Sequence, residues 1–146
     1  MNMKKRVMAL DVGTKRIGVA VSDEIGMLAQ GRGYISRFSD KKAVEEVRMT
    51  AEKEQVRGVV VGFPINMDGT IGERARDARK FAEQVKDATG VPVTLWDERL
   101  STKEAERVMI SADVSRKKRK EVIDKVAAQI ILQGYLDSEE IGGENV

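Results

Sequence analysis

Four acidic positions stand where chemistry could be done. Asp11 closes the apolar run Val7-Met8-Ala9-Leu10, Asp97 and Glu98 close the run "VPVTLW", and Asp124 follows the unbroken basic stretch Arg116, Lys117, Lys118, Arg119 and Lys120. Three carboxylates within about 4 Å of one another repel by roughly 1 kcal/mol per pair in water, and by about 4 kcal/mol at an effective dielectric near 20. A fold that gathers them needs a compensating cation. Magnesium suits the residues present, because it takes oxygen ligands, keeps several waters and pairs one or two carboxylates with substrate phosphates. Two such ions roughly 3.5 to 4 Å apart activate a water and stabilise the leaving oxygen in phosphodiester cleavage, chemistry that requires no histidine. The chain has neither histidine nor cysteine, which excludes disulfides, Cys/His zinc sites, thiol catalysis and imidazole triads.

Each acid also has a plainer reading. Asp11 before Val12-Gly13 can cap a hairpin through its own backbone. Asp97-Glu98-Arg99 can be a polar loop whose acids favour a helix N-terminus, and Asp124 a surface residue of a charged helix. The basic run can be a solvated helix start, yet five like charges there oppose the helix dipole and point to an anionic partner such as nucleic acid. Gly13 and Gly18 have P-loop spacing, but Val19-Ala20 replaces the Lys-Ser/Thr pair and a strand follows, so no P-loop forms. Those glycines are expected to serve the hairpin and to let a backbone approach phosphate closely. Trp96 and Tyr34 could stack on bases, but lone aromatics in or beside strands are more often core residues, and the core is where they are expected.

The elements that must position these residues follow from periodicity. Val7–Asp11, Ile17–Val21 and Leu28–Ser36 read as three strands of an antiparallel meander. Ala43, Val44, Val47 and Ala51 mark a helix from Ser39 to Gln55, and the β-branched run Val56–Val61 reads as a strand buried on both faces. Thr70 and Glu73 suggest a T-x-x-E capping box for a helix with the stripe Ile71, Ala75, Ala78, Ala82 and Val85, ending at Gly90. "VPVTLW" is a further strand, Ser101 and Glu104 open a short helix, and a last helix runs from about Lys117 to Leu136 with Val122, Val126, Ala127, Ile130 and Leu136 buried. The class is α/β, in the order βββαβαβα with that one extra short helix. Right-handed crossovers make the strands at Val7, Val56 and Val91 parallel, so Asp11, the loop "FPINMDG" and Asp97-Glu98-Arg99 meet at one sheet edge.

At 146 residues, 41% apolar and 34% charged, with Lys+Arg 26 against Asp+Glu 24, the chain reads as a single globular domain over 1–138 with a frayed tail at 139–146. No apolar run reaches the roughly 18 residues of a membrane span and no signal-peptide core follows Met1–Arg6, so a cytoplasmic location is expected.

The segments "ALDVGTKRIGVAVSD", "VVGFPINMDGTIGERA", "LWDERLSTKEAE" and "RKKRKEVIDKVAAQIILQGYL", in that order, closely resemble the YqgF/RuvX family of RNase H-like nucleases, relatives of the RuvC-type Holliday junction resolvases. The resemblance covers Val7 to about Leu136. It implies an RNase H-like fold with a five-stranded mixed sheet in the order 3-2-1-4-5, a Mg²⁺- or Mn²⁺-dependent nuclease site and a role in maturing the 5′ end of pre-16S ribosomal RNA. By motif it makes Asp11 the ligand bridging both metals, Glu98 the second acid and Asp124 the acid of the final helix. RuvC-type enzymes carry an acid on the fourth strand, whereas Val59 to Pro64 has none. The second acid therefore comes from the end of the fifth strand, with Asp97 a rival to Glu98, and Asp68 could add an outer contact.

The expected activity is a metal-dependent endonuclease acting on structured RNA, such as pre-16S rRNA, or on branched DNA. Lys15, Arg16, Arg99 and Arg116 to Lys120 would track phosphates, while Thr14 and the backbone at Gly13 position the scissile group. The alternatives are a resolvase-like DNA nuclease and a non-catalytic module that binds nucleic acid or ribosomal assembly intermediates. An actin-like phosphatase would need a second lobe for which the chain has no residues. Monomer and homodimer are both open.

Overall fold

The computed structural model describes residues 6–98 and 116–138, with side chains described for 6–98 and 126–138. The expected short helix at Ser101, Arg99 and the tail at 139–146 lie outside the described residues. The elements are β1 (Arg6–Val12), β2 (Arg16–Ser22), β3 (Ala29–Ser36), α1 (Asp40–Glu54), β4 (Val56–Phe63), α2 (Glu73–Thr89), β5 (Val93–Asp97) and a last helix, here α3 (Arg116–Ser138). The sheet order is β3-β2-β1-β4-β5. β1 pairs antiparallel with β2, and β2 with β3, whereas β1–β4 and β4–β5 are parallel.

Strand alternation divides the core in two. Met8, Leu10 and Val12 of β1 join Val59 and Val61 of β4 and the buried faces of α1 and α2, including Val47, Phe81 and Val85. Val7, Ala9 and Val60 point the other way, against Ala128, Ile131, Leu132 and Leu136 of α3. The same alternation puts position 11 on the α3 side of the sheet, and its register partner across β2 is Gly18.

Three expectations are corrected. No T-x-x-E box forms: Gly72 is the N-cap of α2 and gives no side-chain cap, because Thr70 is turned back onto Asp68, which accepts from both the Thr70 amide and its hydroxyl. Ile71 accordingly precedes the helix and is 40% exposed. On α3 the buried stripe is Ala128, Ile131, Leu132 and Leu136, while Val126, Ala127 and Ile130 are half-buried; the helix lies so near the sheet that small Ala128, not the larger valine, faces Gly18. Position 122 lies where side chains are not described. Tyr34 is 46% exposed rather than core, since β3 is an edge strand, and the Arg16 guanidinium covers its ring at 5.3 Å. Trp96 is half-buried, edge-on to Tyr135 with ring centroids 6.1 Å apart.

One side chain ties the β1–β2 turn to the helices behind it. Arg37 follows β3 directly. Its amide donates to Lys15 O (2.9 Å), and its Nη1 donates to Gly13 O (2.9 Å) and to Asp77 Oδ2 (2.7 Å). Nη2 reaches Asp77 Oδ1 at 2.8 Å and Nε reaches Asp40 Oδ1 at 2.8 Å. The guanidinium lies 5.4 Å from the centroid of the Phe81 ring, with only 9% of the side chain exposed. Hydrogen bonds to Asp77 and then Asp40 raise the Arg37 pKa further, and Arg37 in turn lowers that of Asp77. Breaking a fully buried pair typically destabilises by about 3–5 kcal/mol. Both acids here are over one-third exposed, so Arg37→Gln is expected to lower the urea-unfolding free energy by about 2 kcal/mol, with Arg37→Lys falling between the two.

Candidate active site at the carboxyl edge of the sheet

Because β1, β4 and β5 are parallel, their C-terminal ends lie on one edge, where α/β sheets bind ligands. Phe63 pairs with Asp97 and Gly62 with Trp96, so Glu98 begins where the sheet stops. The Glu98 carboxyl folds back over Gly62: a Cβ at position 62 would collide with that carboxyl and stand 2.6 Å from Ile131 Cδ1. On the other side of β1, a Cβ at Gly18 would sit 3.5 Å from Asp11 Cβ and 3.6 Å from Ala128 Cβ. Two glycines on flanking strands thus clear the space under α3 into which both carboxylates project.

Within that space Glu98 and Asp11 are hydrogen-bonded to each other. Burial first, and then the charge and hydrogen bond of Asp11, push the Glu98 pKa from 4.5 up to about 7; Asp97 adds to the rise and Arg74 opposes it. A shared proton is the ordinary resolution of two carboxylates in one partly desolvated site. Of the two rival acids, Glu98 is therefore the one in contact with Asp11, while Asp97 is half-buried and acts on the pair from a distance.

The other expected residues are more scattered. Thr14, Lys15 and Arg16 are exposed on the β1–β2 turn, with Arg16 drawn over Tyr34. Gly13 permits a close turn, since a Cβ there would lie 2.7 Å from Arg16 O. Its amide donates to Arg16 O and its carbonyl accepts from Arg37, so the Gly13 backbone serves the turn and leaves its N–H engaged. Asp68 is exposed and bonded within its own loop. Arg116 to Lys120 and Asp124 lie on the first turns of α3, and their side chains are outside the described residues. Position 124 precedes Ala128, the residue above Gly18, by one helical turn.

Two residues of the site were not anticipated: Gly62, which clears room for Glu98, and Arg74, in the first turn of α2, whose charge opposes the rise in the Glu98 pKa. Gly18, expected to serve the hairpin and let a backbone approach phosphate, makes room between Asp11 and Ala128. A lone glycine ending a run of valines is a sequence signal of close approach, and a cation in the first turn of a helix, against the dipole, is a signal for an anion nearby.

Hard oxygen donors, like-charge repulsion and partial burial fit a divalent ion of the magnesium kind better than a zinc site. Among the described residues no group of three or more Asp, Glu, His or Cys gathers; two acids do, and the third expected one, Asp124, lies where side chains are not described.

Sheet order, crossing helix and edge site together define an RNase H-like α/β protein. A solved structure of Thermus thermophilus RuvC in complex with a Holliday junction substrate superposes with a TM-score of 0.64 at 14% identity, covering 97% of this chain and 99% of that one. A second structure of T. thermophilus RuvC gives 0.59 at 13% identity with the same coverage. The chain belongs to the RuvX family, described as Holliday junction resolvase, which it matches over residues 5–138. It is 54% identical over 132 residues to a protein of Halothermothrix orenii named "Putative pre-16S rRNA nuclease", covering 90% of this chain and 94% of the relative. A Clostridioides difficile protein of the same name is 55% identical with the same coverage.

Two outcomes follow from this geometry. Gly62→Ala should displace the Glu98 carboxyl from Asp11 while leaving the strand in place, so isothermal titration should show weaker divalent-ion binding by at least about tenfold against an unfolding free energy lowered by only about 1–2 kcal/mol. In EDTA, Glu98 holds its proton more tightly in the folded than in the unfolded chain. Its stabilisation is therefore complete below about pH 4.5 and is lost as pH rises through about 7, by on the order of 3 kcal/mol. Urea unfolding from pH 5 to pH 8 should show that decline, and Glu98→Gln should flatten it.

Proposed function

We propose that the chain is a metal-dependent endonuclease that hydrolyses phosphodiester bonds of structured RNA, in maturation of the 5′ end of pre-16S rRNA in the cytoplasm. The observation that carries this reading is the half-buried contact between Glu98 and Asp11 at the carboxyl edge of the sheet. A protein does not gather two acids under a helix for stability; it does so to hold a cation. Asp11, Glu98 and, from α3, Asp124 would hold Mg²⁺ or Mn²⁺, which would supply an activated water and charge stabilisation at the leaving oxygen.

The chain's own residues do the rest. Gly18, Gly62 and α3 exclude bulk water from the carboxylate pair. Arg74 keeps part of its negative charge tolerable before substrate arrives. The exposed turn Thr14-Lys15 would meet phosphate oxygens, and Arg99 and Arg116 to Lys120 would add to that contact. The choice of RNA rests on relatives about half identical in sequence and named for pre-16S rRNA. The family description favours a second substrate, the four-way DNA junction, but β4, Val56–Phe63, carries no acid. Among the described residues no helix is long and apolar enough to cross a membrane.

Purified protein and Asp11→Asn are to be incubated with a pre-16S leader RNA and with a four-way DNA junction, in Mg²⁺, in Mn²⁺ and in EDTA. Cleavage of the leader by wild type alone, dependent on metal, is the expected result, and Asp11→Asn should fold at least as stably because one half-buried repulsion is gone. Preferential cutting of the junction would move the assignment to DNA resolution. Equal RNA binding by both proteins with no cleavage in any metal would leave a non-catalytic assembly module.

A further inference from the structure

Two pairs of arginines contrast. Arg37 and Arg48 are saturated by carboxylates. Arg74 and Arg79, on the first two turns of α2, make no ion pair among the described residues and are exposed. Arg79 instead packs on an aromatic ring: its guanidinium carbon is 5.0 Å from the centroid of Phe63. Phe63 is the last residue of β4 and the register partner of Asp97, so this ring lies at the same sheet edge as the carboxylates. It faces the α1/α2 side, opposite Gly62. Phe63 is itself buried at 7% exposure. The guanidinium is therefore held over the ring while Arg79 as a whole stays exposed.

The surface around it has a mixed character. The loop between β4 and α2 is braced internally, with Asn66 N donating to Thr70 O (2.9 Å) and Gly69 N to Asn66 O (2.8 Å). Arg76 Nη1 holds Ile71 O at 2.9 Å. That loop presents Met67, 74% exposed, next in the chain to the same edge. Arg74 is exposed on the first turn of the same helix, just N-terminal to Arg79. Exposed cations interleaved with a flat stacking plane and an apolar side chain are what unpaired nucleotides recognise, since bases stack on guanidinium planes as they do on aromatic rings. A double helix, with its bases already stacked, gains only from the charge.

Resting on the nuclease reading, we infer that Arg79, held over the Phe63 ring, is a stacking platform for an unpaired base next to the scissile site, with Arg74 contacting the adjoining phosphate. The substrate class is then a nucleic acid that is single-stranded on the α2 side of the cut.

The test is fluorescence anisotropy with the full chain in Ca²⁺, after confirming that the labelled RNA stays intact. The probes are a 12-nucleotide single-stranded RNA, a same-length oligomer of abasic units and a blunt RNA duplex. Arg79→Lys keeps the charge and removes the plane. It should weaken single-strand binding by roughly five- to tenfold without changing the slope of affinity against salt, and should leave the abasic oligomer and the duplex unaffected. Arg74→Gln should lower that salt slope by about one contact, while Lys53→Gln, at the far end of α1, should change nothing. The platform is overturned if Arg79→Lys binds the single strand as wild type does, if all three probes weaken equally, or if wild type binds no RNA. Cleavage is not a readout here, so a protein that binds as expected yet cuts nothing sinks the nuclease reading and leaves the platform standing.

Discussion

A half-buried carboxyl group packed against another carboxyl group organises this molecule. The Glu98 side chain can occupy its place only because position 62 has no Cβ, and α3 can pass over it only because Gly18 and Ala128 are small where helix and sheet approach. Enlarging any of these would restore ordinary helix-on-sheet spacing and remove the space for the acids. The packing of this face is thus subordinate to an electrostatic requirement: α3 contributes Ala128, Ile131, Leu132 and Leu136 to a modest core, while the larger apolar cluster, with Phe81 and the valines of β1, β4 and α2, lies on the other side of the sheet. The larger core lies on one face of the sheet and the carboxylate pair on the other.

The turn that adjoins the acids is held from the stable face. Arg37 passes under the β1–β2 turn, takes the Gly13 carbonyl and answers to Asp77 of α2 and Asp40 of α1. A guanidinium fork with five planar donors suits this task in a way that an ammonium does not. The contrast with Arg74 and Arg79 separates two uses of one residue type. An arginine enclosed by two carboxylates is a cross-brace, and arginines at the acidic edge without acid partners among the described residues are available to an anion.

The chain belongs to the RuvX family and has a RuvC-like fold, and the route by which its second carboxylate reaches the sheet edge is informative. With no acid on β4, the second carboxylate is delivered by the residue just past β5 and reaches back over β4, whose penultimate residue is glycine. The glycine at 62 and the glutamate at 98 are two halves of one arrangement, 36 residues apart in the chain and in contact in the fold.

Much of this was legible in the amino-acid sequence, for a physical reason: strands and helices declare themselves through the period at which apolar residues recur. The valine run of β4, the meander of β1 to β3 and the apolar strand that stops at Asp11 all follow from local pattern, and right-handed crossovers then place the parallel strand ends on one edge. What periodicity does not encode is the distance between layers and the pairing of polar groups across them. It suggested a capping box at Thr70 where that hydroxyl closes its own loop on Asp68, a stripe on α3 through Val126, Ala127 and Ile130 where the crossing buries Ala128, Ile131 and Leu132, and a buried Tyr34 on what is an exposed edge strand. It left Asp97 and Glu98 as rivals, which only the turn after β5 could separate. The residue types and their order determined the fold class and which acids could do chemistry; the tertiary structure decided which of them touch, because contact across α3, β4 and β5 depends on missing side chains at Gly18 and Gly62, and a glycine in a strand signals a close approach without naming the residue that makes it.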